Sequence, residues 1–234
     1  MKPRKKTKSL HRGSPFTVLI SGNDTGVGKT HVLGLVARAL AQRGHKIEIV
    51  KAVETGVRAR EKGDADRASA VANHANATHR TLFRFRQPLA PLAAAKADGS
   101  RFTLAALLRA LNNTPAVNCR LVEGAGGLAV PIDSKGCDWA DFASAIRADI
   151  TLLVVEDRLG AINQARLLAT YAAAKEVPNC CFILNRLRSS SSAVHRSNRQ
   201  GLRASGIRLF PSPEAVASFL SRSITRAGQA TRTR

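Results

Sequence analysis

An α/β fold, with a mostly parallel sheet and helices on both of its faces, follows from three features of this sequence. Short apolar runs recur at 16–21, 47–53, 119–123, 150–156 and 180–185. Each has the length and the Val, Ile and Leu content of a strand buried on both sides. Segments with apolar residues at helical spacing stand between several of them. A glycine-rich turn joins the first apolar run directly to the first helical segment. Strands alternating with helices need crossover connections, which are right-handed and leave neighbouring strands parallel.

The first strand is Phe16-Thr-Val-Leu-Ile-Ser. Beyond the turn, Val32, Leu35, Val36, Ala39 and Leu40 share one helical face over His31–Arg43, and Gly44 ends that helix. Ile47–Val53 is the second strand, followed by weaker helical patterns at 66–75 and 103–112. Cys119–Glu123, Ile150–Glu156 and Cys180–Asn185 are three more buried strands. Ile162, Ala165, Leu168 and Ala169 give the inner face of a helix over Gly160–Ala174. Ser189–Ser192 reads as a polar loop, and a last helix is expected near Glu214–Leu220. No repeat with a spacing of 20–50 residues is visible. These segments define one α/β domain over 15–221, a basic N-terminal arm over 1–14 and a basic tail over 222–234.

Composition narrows the function. With 44% hydrophobic residues in 234, the chain can build a sizeable core, and disorder throughout is excluded. No apolar stretch approaches the length needed to cross a bilayer. Aromatic residues are only 4%, which leaves few rings for stacking on bases. The four cysteines, Cys119, Cys137, Cys180 and Cys181, show no Cys-x-x-Cys spacing, so neither a zinc site nor a disulfide framework is expected. A reduced, cytoplasmic setting fits this usage, and Cys180 and Cys181 read as core filler. The net charge of +21 is concentrated at the ends: six Lys or Arg within 1–12, and ten Arg against Glu214 alone within 186–234. Such ends can attract polyanions by charge. The expectation is that they are solvated arms and that nucleic acid is not the partner.

The most specific local feature is Gly22-Asn-Asp-Thr-Gly-Val-Gly-Lys29-Thr30, between a strand and a helix. Glycines let backbone N–H groups turn inward around phosphate oxygens, and the helix N-terminus adds its positive dipole. Lys29 would reach the β- and γ-phosphates, and the Thr30 hydroxyl would ligate Mg²⁺. The loop has one residue more than the strict Gly-x4-Gly-Lys-Thr pattern, which would place glycine where Asn23 stands. Its context, strand then turn then helix, points to nucleotide phosphate binding.

From here the sequence resembles the dethiobiotin synthetase family, whose loop Gly-Thr-Asp-Thr-x-Val-Gly-Lys-Thr has the same extra residue. Lys51-Ala-Val-Glu-Thr55-Gly56 is similar to the family's Lys-Pro-Val-x-[Ser/Thr]-Gly. Val122-Glu123-Gly-Ala-Gly-Gly127 matches Val-Glu-Gly-Ala-Gly-Gly, and Leu159-Gly-Ala-Ile-Asn163-Gln is close to Leu-Gly-x-[Ile/Leu]-Asn-His. Pro88-Leu-Ala-Pro91-Leu-Ala-Ala-Ala looks like Pro-x-[Ser/Ala]-Pro-x-x-Ala-Ala. The five elements stand in the family's order over about 16–187.

The resemblance implies a P-loop NTPase-like fold and Mg-ATP-dependent closure of a ureido ring, from 7,8-diaminononanoate and CO2, giving dethiobiotin, ADP and phosphate. Anionic carbamate and phosphoryl groups must be held together, which calls for fixed cations and donors rather than a strong base. By family position, Lys29 and Lys51 are the cations. Thr25 is the hydroxyl donor for the chemistry, and Thr55 binds the substrate. ATP would lie against Gly26, Val27, Gly28, Lys29, Thr30 and His31, the last a residue of the first helical turn rather than a catalyst. Glu123, Gly124, Ala125, Gly126 and Arg186 would bind ATP as well, and Asn185 would read the adenine. Thr30, Glu123 and an aspartate after the second strand would hold Mg²⁺. That aspartate is Asp64 or Asp66, with Asp66 favoured because it heads the helical segment. The resemblance also implies a homodimer acting on small molecules, without a membrane.

The rival reading is a partitioning or regulatory ATPase of the same fold that binds DNA through its basic surface. Such proteins carry a second lysine early in the loop, where Asp24 stands here.

Overall fold

The computed structural model describes residues 14–58, 61–112, 117–187 and 191–232. Among these, the five apolar runs and two further segments become strands of one sheet: β1 (Phe16–Gly22), β2 (Ile47–Thr55), β3 (Ala77–Phe85), β4 (Cys119–Glu123), β5 (Ile150–Glu156), β6 (Cys180–Asn185) and β7 (Leu209–Phe210). Their order is β3-β2-β4-β1-β5-β6-β7, and every pairing is parallel. The predicted architecture is therefore the observed one.

Alternation along each central strand sends side chains into two cores. Val18, Ile20, Ile49 and Leu121 pack under α1 (Lys29–Ala41), α2 (Asp64–Ala72) and α8 (Pro213–Arg232). Leu19, Val50, Val122 and Leu153 pack under α3 (Pro91–Ala97), α4 (Leu104–Asn112), α5 (Trp139–Ala145), α6 (Ala161–Ala174) and Leu202 of α7 (Ser192–Ala204). The connection after β1 runs to β2 on one side and the connection after β4 runs to β5 on the other, so the strand order reverses between the adjacent β1 and β4 and their carboxyl ends, with that of β2, open into a crevice.

Several elements differ from the sequence reading. β3 was not anticipated, because Ala77–Phe85 is an edge strand in which His79 and Arg80 interrupt the apolar run. β7 is two residues long and carries no pattern. α5 begins at a capping signal: the Asp138 side chain accepts the N–H groups of Ala140 and Asp141. α7 starts inside the serine run with Ser191 as its cap, while Ser189 and Ser190 lie outside the described residues. α2 starts at Asp64, two residues earlier than expected. α8 continues through 221 to Arg232, with Ile224 buried against α1, so the expected boundary between domain and tail falls within a helix. The arm over 1–13 lies outside the described residues.

Candidate active site

Three strand ends and one helix start build the site. β1 runs into the glycine-rich loop, and α1 begins at Lys29, with the left-handed Gly28 (φ 87°) immediately before it. A Cβ at Gly28 would lie 2.0 Å from the Asn185 side-chain nitrogen, so only glycine lets the loop and β6 approach this closely. Asn185 Nδ2 donates to the Val27 carbonyl at 2.9 Å, bracing the loop from the end of β6.

The register of the sheet brings the next two residues together. Lys51 on β2 and Glu123 on β4 are directly opposite one another. Lys51 Nζ donates to Glu123 Oε1 at 2.6 Å and pairs with Asp64 Oδ2 at 2.7 Å. The Thr30 hydroxyl donates to the same Glu123 oxygen at 2.9 Å. Lys29 Nζ donates to the Asp24 carbonyl across the loop at 2.7 Å.

Two buried ammonium groups thus stand beside two carboxylates, and the balance differs between the lysines. Burial pulls Lys29 down to about 8, and the attraction of Glu123 only partly offsets it. Burial would also lower Lys51, but Glu123 and Asp64 outweigh it and hold that ammonium above its ordinary pKa. Burial would raise Asp64, but Lys51 and then Arg67 hold it below the usual carboxylate range.

These residues line a cavity of about 710 Å³. Thr25, Gly26, Gly28, Lys29 and Thr30 form its phosphate-loop side, with Glu123, Ala125 and Gly126 opposite. Lys51, Thr55, Asp64, Pro88 and Pro91 close the other end. The remaining expected residues do not line it. The Val27 side chain is in the core, and Gly124 lies over the Trp139 ring. His31 is an exposed residue of the first turn of α1, as expected. Asn185 reaches the loop rather than the cavity, and Arg186 is exposed.

Asp66 is displaced from its expected position. It is the third residue of α2, and its carboxylate folds back to accept the Gly63 N–H at 2.8 Å, with His79 and Arg84 as its other partners. The aspartate that faces the cavity is Asp64. Glu54 and Arg67 also line the cavity and were not singled out from sequence. Glu54 sits inside the Lys51–Gly56 motif, and Arg67 lies one helical turn after Asp64, where an i,i+3 pairing rule points to it.

The donor set suits Mg²⁺. The Thr30 hydroxyl bonds to Glu123, and Glu123 and Asp64 both pair with Lys51, so a hydroxyl and two carboxylates, all hard oxygen ligands, stand together. Among the described residues no three His, Cys, Asp or Glu side chains form a cage of their own.

The sequence and the fold both resemble those of known proteins. The family model described as an AAA domain matches residues 16–222. The ATP-dependent dethiobiotin synthetase of Mycobacteroides abscessus is 31% identical over 190 residues, covering 79% of this chain and 80% of that protein. The Aquifex aeolicus enzyme of the same name is 37% identical over 169 residues, 72% of this chain and 75% of the relative. Among solved structures, a plasmid partition protein from Borrelia burgdorferi overlays with a TM-score of 0.58 at 9% identity, covering 90% of this chain and 99% of that one. A second putative partition protein from the same organism, bound to AMPPNP, gives 0.54 at 10% identity, over 93% and 99% of the two chains. At such identities the structural likeness shows the P-loop fold alone. The sequence relatives go further, and by them this chain belongs to the dethiobiotin synthetase family.

Proposed function

We propose that the chain is a dethiobiotin synthetase, an ATP-dependent ligase that closes the ureido ring of dethiobiotin from 7,8-diaminononanoate and CO2. The observation that carries the reading is the Lys51–Glu123–Asp64 cluster at the mouth of a phosphate loop. It is a fixed cation beside the place where a γ-phosphate would lie, in a cavity large enough for a second substrate.

In the reaction, one substrate amine takes up CO2 as a carbamate, and a carbamate oxygen attacks the γ-phosphate of ATP. The second amine then attacks the carbonyl carbon of the mixed anhydride, phosphate leaves and the ring closes. Lys29 and the loop N–H groups hold the phosphates, and Lys29 exchanges its bond to the Asp24 carbonyl for them. Lys51 bears on the carbamate oxygens and the transferred phosphoryl group, with its charge secured by Glu123 and Asp64. Thr25, on the exposed rim of the loop, donates its hydroxyl to the same oxygens. Thr55, four residues after Lys51 on the same side of β2, orients the diamine. Asn185 has one amide hydrogen engaged by Val27, and we assign the rest of its amide, with Arg186 alongside, to the adenine.

Thr30, Glu123 and Asp64 would hold Mg²⁺, which when bound neutralises charge on the phosphate oxygens. Asp64 takes the place assigned from sequence to Asp66. We read the working enzyme as a cytoplasmic homodimer, with exposed Leu159 and Leu167 available for a second copy to cover.

Isotopically labelled bicarbonate tests the reading. With diaminononanoate and MgATP, the label should enter the ureido carbon of dethiobiotin, with one ADP formed per ring. ADP release without labelled dethiobiotin would refute it.

A further inference from the structure

Asp64, which pairs with Lys51, is the first residue of α2, so the placement of that helix start sets where its carboxylate points. Its neighbours are pinned by their backbone. The Asp66 carboxylate accepts the Gly63 N–H at 2.8 Å, and Glu54 Oε1 accepts the Ala65 N–H at 3.2 Å. One side chain ties these two carboxylates together. Arg84 on β3 stands directly opposite Glu54 on β2 in the sheet register. Its Nε lies 3.3 Å from Glu54 Oε2, Nη1 donates to the Glu61 carbonyl at 3.0 Å, and Nη2 donates to Asp66 Oδ2 at 3.3 Å. Packing closes the arrangement, since a Cβ at Gly63 would lie 2.1 Å from the Glu54 carboxylate.

We propose that Arg84 is a positioning residue for the reaction, a three-way clamp that fixes the head of α2 and so aims Asp64 at Lys51. Arg84 does not itself line the cavity; it reaches Glu54, which does, and otherwise bonds to the Glu61 carbonyl and the Asp66 carboxylate at the head of α2. Its planar fork makes two hydrogen bonds, to the Glu61 carbonyl and to Asp66, and an ion pair with Glu54 at once, which a lysine cannot do. It also supplies the countercharge for Glu54, which is only 3% exposed and would otherwise be a buried, unpaired carboxylate. The inference rests on the reading that Asp64 serves the reacting groups.

The test is a double-mutant cycle between Arg84→Met and Asp64→Asn, read by dethiobiotin formation and by amide hydrogen exchange over 61–66. Arg84→Met should lower turnover by about tenfold to a hundredfold, because small displacements of a positioned group are costly. Exchange at Gly63 and Ala65 should speed up, and the KM for ATP should change by no more than about twofold. Arg84→Lys should recover part of the loss. In the Asp64→Asn background, Arg84→Met should add less than about twofold. Fully multiplicative losses, or unchanged exchange over 61–66, would overturn the clamp. Full turnover by Asp64→Asn alone would overturn the assignment of Asp64 beneath it, a separate failure read from a separate variant. If Arg84→Met does not fold, Asp66→Asn removes one arm of the clamp from the protein surface. It should speed exchange at Gly63 with a smaller loss of turnover, and no change in either would count against the proposal.

Discussion

Replacing Lys51 by methionine keeps most of the side-chain volume and removes the one charge shared by Glu123 and Asp64. The structure sets the magnitude. Lys51 and Glu123 are 5% and 2% exposed and 2.6 Å apart, so water cannot stand in for the lost ammonium. Breaking a buried pair from one side costs about 3–5 kcal/mol. Asp64 is 30% exposed at its side chain, so solvent screens that half of the cluster and places the expectation near the low end, about 3 kcal/mol. With a urea m-value of about 2 kcal/mol per molar, the unfolding midpoint of the protein without ligands should fall by about 1.5 M.

The pH dependence checks the cause. In the wild type, Lys51 holds Asp64 below its ordinary pKa, a stabilisation present above the unfolded pKa and lost as pH falls through the folded one. In the variant Asp64 lacks that partner and loses the stabilisation. The gap between the two proteins should therefore be widest at neutral pH and shrink as pH falls below about 4. Dethiobiotin formation should fall about a hundredfold to a thousandfold. A stability loss below about 1 kcal/mol, or one equal at pH 7 and about pH 2, would refute the assignment of Lys51 as the countercharge of this cluster.

The remaining outcomes concern the phosphate loop and the basic ends. Lys29→Ala should cost at least about a hundredfold in turnover with the fold intact, and near-normal activity would remove the loop from the mechanism. Because burial leaves Lys29 titrating at about 8, phosphate binding should restore its proton. Calorimetry in buffers of different ionisation enthalpy should therefore show proton uptake with ATP at pH 8.5 and none at pH 6.5. Gly28→Ala forces a non-glycine residue to φ 87° and drives a methyl group into Asn185. It should destabilise the protein by about 1–2 kcal/mol and weaken nucleotide binding more than Asn185→Ala does, as read by urea unfolding and by titration. Removing residues 1–12 should leave dethiobiotin formation within about twofold. Any duplex DNA affinity should be weak and largely gone at physiological salt, as a salt titration would show.

The sheet was legible where burial writes a simple pattern. Runs such as Ile150–Glu156 cannot be much else, and Glu123 stands out as an acid closing one of them ahead of four small residues. β3 escaped because an edge strand is covered on fewer sides and so tolerates Thr78, His79 and Arg80. α7 escaped because its exposed surface is arginine-rich and Leu202 is its only fully buried apolar side chain. Most cavity-lining residues were within reach, since the phosphate loop is local and motifs on adjacent parallel strands converge at their carboxyl ends.

The choice between Asp64 and Asp66 was harder, because both stand at the head of one helix and the turn before it sets which one faces Lys51. A signal existed all the same. An acid three residues after a helix cap tends to fold back onto the cap N–H, and Asp66 does so on Gly63. The Arg84 clamp could not be read at all. It depends on β2–β3 register, and β3 itself was unseen.

The most direct test of the account is what makes the protein turn over ATP. Steady-state ADP release should be measured with MgATP alone, with diaminononanoate and bicarbonate added, and with duplex DNA added, all at physiological salt. The cleft described here predicts turnover that depends on the diamine and bicarbonate together, is matched by dethiobiotin formed and is indifferent to DNA. Turnover stimulated by DNA and unaffected by the diamine would contradict the assignment and make the basic surface, rather than the cleft, the place to look for function.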